Sequence, residues 1–191
     1  MVKLAKVMFM RVIAGEKKGF PLKSPKGLNT RPTSDKIKGA IFNSLTNYVD
    51  FIDKKALDCF AGTGALGIEF LSRGGKHCIF YELNGQSLNC IKDNLKKTDY
   101  ENKSKVVKGN VISYLSNTTE KYHVFFVDPP YNQGLSQKVI DLVAAKDLLL
   151  RDGAIVIETD KKENLDIPIH YFIVANEKNY GDTKITILLR S

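Results

Sequence analysis

Apolar positions along this chain recur with two different periods, and the changes of period mark out the elements. From residue 55 onward, short apolar runs alternate with stretches whose apolar residues fall three and four apart. Residues 56–60, 77–82, 105–108, 123–127 and 154–159 read as strands, and 123–127 is apolar enough to be buried on both faces. Between them 64–73, 84–97, 111–115 and 134–145 read as helices, with Leu88, Ile91 and Leu95 on one face of the second. Arg151-Asp152-Gly153 reads as a turn into the fifth strand. In the tail the period stays at two: 169–175 and 184–189 are strands around a turn at 179–182. Strand-helix alternation predicts an α/β fold with a doubly wound, mostly parallel sheet of seven strands. The tail predicts a C-terminal antiparallel hairpin whose last strand inserts into that sheet.

The first fifth of the chain has a different texture. Residues 6–13 and 20–23 read as a basic hairpin around the turn from Gly15 to Gly19. A loop with two prolines and a glycine follows, and Thr33 or Ser34 can cap a helix that starts near Asp35. Ile37, Ile41, Phe42 and Leu45 give this helix a buried stripe. Gly39 inside it costs about 1 kcal/mol against alanine, and close packing is the one reason the sequence suggests.

With 191 residues, 43% of them apolar and 26% charged, the chain predicts one globular domain with a small extension. The expected division is a basic extension over 1–33 and the main domain over 34–191. No apolar run approaches the roughly 18 residues that span a bilayer, and Val7 to Met10 is too short for a signal-peptide core. That stretch is basic and poor in acids, as a transit peptide would be, but it alternates like a strand. Cys59, Cys78 and Cys90 show no C-x-x-C spacing and predict packed, reduced thiols of a cytoplasmic protein. Three scattered histidines give no metal-site pattern, so no metal is expected.

Charge is the informative part of the composition. Residues 1–38 hold ten Lys and Arg against two acids, so the whole net charge of +8 lies there. The rest of the chain is balanced. Charge confined to one segment is the footprint of contact with a polyanion, whereas a solvated lysine face would serve only solubility.

Gly62-Thr63-Gly64-Ala65-Leu66-Gly67 spells G-x-G-x-x-G, and Glu82 follows Gly62 by twenty residues. At face value this is a dinucleotide site. Asp58 lies four residues before Gly62, and its negative charge suits a cationic amine or sulfonium better than a pyrophosphate. Glu82 can accept both ribose hydroxyls of an adenosine, which does not separate NAD from S-adenosylmethionine. Asn110 could read adenine through its amide, with Val111 packing on the ring.

Four apolar residues, Val124 to Val127, run straight into Asp128-Pro129-Pro130-Tyr131. Prolines donate no hydrogen bond, so this turn presents acceptors beside a flat aromatic face. Such a cup suits the exocyclic amine of a planar base. Accepting both N–H bonds favours a pyramidal nitrogen whose lone pair can attack a methyl held in line.

These stretches resemble the RsmD family of bacterial 16S ribosomal RNA guanine-N2 methyltransferases. The similarity rests on R-V-I-A-G-E-K-K-G at 11–19, G-L-N-T-R-P-T-S-D at 27–35 and A-I-F-N-S-L at 40–45. It continues through D-C-F-A-G-T-G-A-L-G-I-E-F-L-S-R at 58–73 and V-F-F-V-D-P-P-Y at 124–131, in family order over almost the whole chain. The basic start and T-R-P-T are its specific part; the glycine block and D-P-P-Y are shared with wider amino-methyltransferase groups.

The resemblance implies a Rossmann-like, class I S-adenosylmethionine-dependent methyltransferase, with S-adenosylmethionine as donor. The substrate would be one guanine N2 of 16S rRNA in the small subunit or its assembly intermediate. Asp58, Phe60 and the loop Ala61, Gly62, Thr63, Gly64, Ala65 and Leu66 would face the methionine and ribose of the cofactor. Glu82 would take the ribose, and Asn110 and Val111 the adenine. Asp128, bordering cofactor and base, would act with Pro129, Pro130 and Tyr131 as the catalytic cup. Arg11, Lys17, Lys18, Lys23, Lys26, Arg31 and Thr33 would face RNA, and the Arg31–Thr33 loop could also close over the cofactor. A monomer without membrane or metal partners is expected. Gly39 and Asn84 stand where family members usually carry acids. D-P-P-Y also admits adenine N6 or a protein glutamine as acceptor, the literal fingerprint admits a nicotinamide oxidoreductase, and the basic segment admits a non-catalytic ribosome-assembly factor.

Overall fold

A computed structural model describes residues 10–24, 35–130 and 133–191. Its elements are β1 (Met10–Arg11), β2 (Pro21–Leu22), α1 (Asp35–Leu45), β3 (Lys55–Asp58), α2 (Ala65–Ser72), β4 (His77–Glu82) and α3 (Gly85–Thr98). They continue as β5 (Ser104–Lys108), α4 (Val111–Asn117), β6 (Tyr122–Val127), α5 (Leu135–Ala145), β7 (Leu149–Asp160), β8 (Phe172–Tyr180) and β9 (Thr183–Arg190). Seven strands form one sheet in the order β5-β4-β3-β6-β7-β9-β8, while β1 and β2 pair separately. The contacts from β5 through to β7 are parallel; β9 runs antiparallel between β7 and β8. The sheet of seven with an inserted antiparallel strand is therefore present, in the expected Rossmann-like arrangement.

Strict alternation along the central strands sends side chains to two cores. Ala56, Phe80, Val124, Phe126 and Val156 face one, which also takes in the stripe of α1 and Met10, Val12 and Leu22 of the hairpin. Leu57, Ile79, Phe125, Val127 and Ile155 face the other, closed by Val139 and Ile140 of α5. Cys59, Cys78 and Cys90 are buried free thiols.

Three features depart from the sequence reading. Arg151 to Gly153 is no turn: β7 runs through it, and its register against β6 shifts between Tyr122 and Val124. A Cβ on Gly153 would lie 2.4 Å from the His123 carbonyl oxygen, so this glycine serves close strand approach. Within the described residues the hairpin ladder has only two pairs, Met10–Leu22 and Arg11–Pro21, because the amides of Ile13 and Ala14 turn away to the Glu69 carboxylate. Gly39 is not tightly packed either, since a Cβ there would meet nothing closer than Ile13 at 3.9 Å.

Helix α2 is buried on every residue, including Glu69. The sheet covers one side and the hairpin the other. Glu69 accepts from Ile13 N at 2.7 Å, Ala14 N at 3.0 Å and Arg73 Nε at 2.9 Å, with Lys38 Nζ at 3.6 Å. Lys38, equally buried, donates to the Arg11 carbonyl at 2.5 Å. Burial pushes the Lys38 ammonium below its usual range, and Glu69 opposes that shift.

Candidate functional site

Parallel strands bring their carboxyl ends to one edge, and chemistry-bearing loops collect there. Asp58 ends β3, Glu82 ends β4, and Asp128 follows β6. Asp58 pairs with Phe80 on one side and Phe126 on the other, which places the three acids on adjacent strands.

The glycine loop between β3 and α2 is held from below. Gly62 (φ 54°) and Gly64 (φ 76°) take left-handed conformations that favour glycine. A Cβ on Gly62 would meet only the Phe60 oxygen, at 4.0 Å, so the loop presents an open backbone face. Gly67 has another task, since a Cβ there would sit 2.2 Å from the Phe80 ring and 2.7 Å from Cys78 Sγ. It lets α2 lie against the sheet.

Asp58 is 2% exposed and accepts from Gly67 N at 3.2 Å. Burial pushes its carboxyl up to about 7; the Gly67 amide opposes this and the Glu82 charge adds to it. The folded state therefore holds this proton more tightly than an unfolded chain, whose aspartate sits near 3.8. Its contribution to stability falls as pH rises from about 4 to about 7, then levels off.

Half-buried Glu82 joins two loops. One oxygen accepts from Gly62 N at 2.8 Å; the other accepts from Leu83 N and Asn84 N, each at 2.8 Å. Gly109 N donates to the Glu82 carbonyl at 3.2 Å, which sets exposed Asn110 beside it. Asn110 caps α4 through Oδ1, accepting from Ile112 N at 2.9 Å and Ser113 N at 3.4 Å, so its Nδ2 is the group left for a ligand. Val111 is buried in the core under α4. Asn84 caps α3 in the same way, bonding Gln86 N and Ser87 N. Leu83 is 64% exposed beside Glu82. The sequence reading passed over it, though an apolar residue after a strand-end acid and before a cap is a visible signal.

Around the loop Phe60, Gly62 and Thr63 are half-buried, whereas Ala61, Gly64, Ala65 and Leu66 are buried. Beyond β6, Asp128 is half-buried, Pro129 buried and Pro130 exposed. Tyr131 lies outside the described residues, as do Lys26, Arg31 and Thr33. Farther along the same edge, an open groove of about 780 Å³ lies between α5 and the stretch after β7. Asp141, Asp160, Glu163 and Asp166 line it, which makes it unfavourable to a polyanion.

Arg11 and Lys23 are exposed and Lys17 is half-buried, and each has a distinct setting. Arg11 Nε lies 3.2 Å from Asp35, Lys17 Nζ 3.0 Å from Glu16, and Lys23 Nζ 2.7 Å from Asp93. The hydrogen bond with Lys23 holds the Asp93 carboxyl below its usual range. Exposed pairs of this kind are weak, so a phosphate can replace the carboxylate. Lys18 is exposed on the turn. Among the described residues no group of three or more His, Cys, Asp or Glu is placed to hold a metal ion, and no helix is long and apolar enough to cross a membrane.

The geometry has relatives. A protein-family model described as Conserved hypothetical protein 95 matches residues 10–189. YlbH of Bacillus subtilis (strain 168) is 36% identical over 181 residues, covering 93% of this chain and 97% of its own. The protein named Ribosomal RNA small subunit methyltransferase D of Escherichia coli (strain K12) is 32% identical over 181 residues, covering 95% and 90%. The solved structure of yhhF from Escherichia coli superposes with a TM-score of 0.82 at 30% identity, covering 96% of this chain and 98% of that one. Fold, site order and near full-length similarity agree, and the chain belongs to the RsmD family of small-subunit ribosomal RNA methyltransferases.

Proposed function

We propose that this protein transfers a methyl group from S-adenosylmethionine to the exocyclic N2 amine of one guanine in 16S rRNA of the small ribosomal subunit. The observation that carries the reading is the strand register: Asp58 pairs with Phe126, and Asp128 follows two residues later. The acceptor turn and the glycine loop are thus neighbours.

The residues fit such a donor. The open backbone of Gly62 admits a ligand, Glu82 Oε2 keeps one acceptor site for a ribose hydroxyl, and Asp58 supplies negative charge beneath the loop. Leu83 and the Asn110 amide take the adenine end. When bound, the cofactor supplies a methyl on a cationic sulfur. Asp128 accepts one N–H of the target amine and a backbone carbonyl of the turn accepts the other, with Tyr131 as the flat wall. Pro129 and Pro130 bring no competing donor. The guanine reaches this cup flipped out of its stack. The basic extension over 1–33 holds the RNA backbone, with Arg11, Lys17, Lys18, Lys23, Lys26, Arg31 and Thr33 along it.

Labelled-methyl transfer to unmodified small subunits, followed by nucleotide mapping, tests the reading. One labelled guanine N2 is expected; label on adenine N6 or protein gives the reaction to another acceptor. Thermal protection by NADH and none by S-adenosylhomocysteine gives the fold to an oxidoreductase.

Asp58 sets the pH dependence of donor binding. A cation above the loop pulls its carboxyl back down, so binding expels a proton while Asp58 is protonated. Calorimetric affinity for S-adenosylmethionine is expected to rise with pH below about 7, by at most about tenfold per unit, and to flatten above it. Asp58→Asn is expected to remove that slope.

A further inference from the structure

Asn94 lies in the C-terminal half of α3 and is fully buried. Its amide connects two parts that the proposed reaction uses separately. Oδ1 accepts from Lys23 N at 2.8 Å; Nδ2 donates to the Lys23 carbonyl at 3.0 Å and to the Thr63 carbonyl at 3.0 Å. Lys23 is the residue after β2 in the basic hairpin, and Thr63 is the tip of the glycine loop. A planar amide group has two N–H bonds at a fixed angle, so neither carbonyl can shift without breaking a buried bond. Cys90 Sγ also donates to the Lys23 carbonyl, at 3.0 Å, and Lys23 Nζ pairs with Asp93. Three side chains of one helix therefore seat a single hairpin residue, and only Asn94 among them also grips the cofactor loop.

We infer that Asn94 is a positioning residue that couples RNA binding on the hairpin to cofactor binding on the glycine loop. The inference rests on the reading of the hairpin as RNA-facing and the loop as cofactor-binding. RNA that restrains the hairpin fixes Lys23, Lys23 fixes the Asn94 amide, and the amide holds Thr63 in place. Cofactor and RNA then each tighten the other by one shared factor.

The test measures S-adenosylhomocysteine affinity in the absence and presence of saturating unmethylated small subunits. For the unaltered protein the subunits are expected to tighten it about tenfold, within the usual range for coupled sites. In Asn94→Leu, which keeps the volume without the amide, that factor is expected to fall to about one, whatever the affinity in the absence of subunits. Asp93→Asn cuts the exposed ion pair alone and is expected to retain the coupling. Hydrogen exchange of amides 61–66 in the unaltered protein needs no variant, and subunit binding without cofactor is expected to slow it. Binding of both partners with no coupling overturns the inference alone, as does full coupling in Asn94→Leu or its loss in Asp93→Asn. Unchanged exchange at 61–66 overturns it too. Failure of S-adenosylhomocysteine to bind at all overturns the methyltransferase reading and takes this inference with it.

Discussion

Replacing Asp128 by asparagine is expected to lower the turnover number for methyl transfer by about 10²–10³-fold, the usual loss for one transition-state hydrogen bond. Asparagine keeps the shape of the side chain and one acceptor oxygen, but puts an NH₂ donor in place of the other and removes the negative charge. Facing an amine that itself needs acceptors, one arm of the side chain becomes repulsive. Affinity for S-adenosylhomocysteine is expected to stay within about threefold, because the proposed reading gives that ligand chiefly to Glu82 and the glycine loop. Single-turnover kinetics on unmethylated subunits, with calorimetry beside them, separate the two quantities. A variant that methylates within a factor of about three of the unaltered protein would remove the acceptor turn from the mechanism.

Glu69→Ala is expected to cost about 3–5 kcal/mol of folding stability, a large share of what a domain of this size possesses. The substitution leaves the Lys38 ammonium buried without its carboxylate, and it orphans the amides of Ile13 and Ala14. Both penalties arise in the same place, so they act together on the seat of the hairpin. Glu69→Gln keeps an oxygen for one of those amides and is expected to lose less. Urea unfolding midpoints measure the difference. A loss below about 1 kcal/mol for the alanine variant would show that the network does not hold the hairpin.

Local patterns made most of the fold legible. The strand 77–82 and the helices after it follow from apolar periodicity alone, and β4 spans His77–Glu82 as read. Arg151-Asp152-Gly153 misled because a polar triplet with glycine also suits a bulged strand whose neighbour passes close. In the site, Asp58, Glu82 and Asp128 were readable because each ends an apolar strand. Glu69, Lys38 and Asn94 were not. Apart from near neighbours on their own helices, their partners lie 27 to 71 residues away in sequence, and a charged or polar residue within a helix ordinarily signals a solvated face. Only the hairpin lying over α2 turns that face into an interior.

Glu82 and Asp58 hold the glycine loop by the amides of Gly62 and Gly67. The loop is therefore anchored at those two points when the chain folds, and its tip at Thr63 is left to Asn94. Little backbone entropy remains to be lost when the donor enters, and little is regained when the spent nucleoside leaves. Exchange of used for fresh donor can then proceed without remaking the anchored part of the loop.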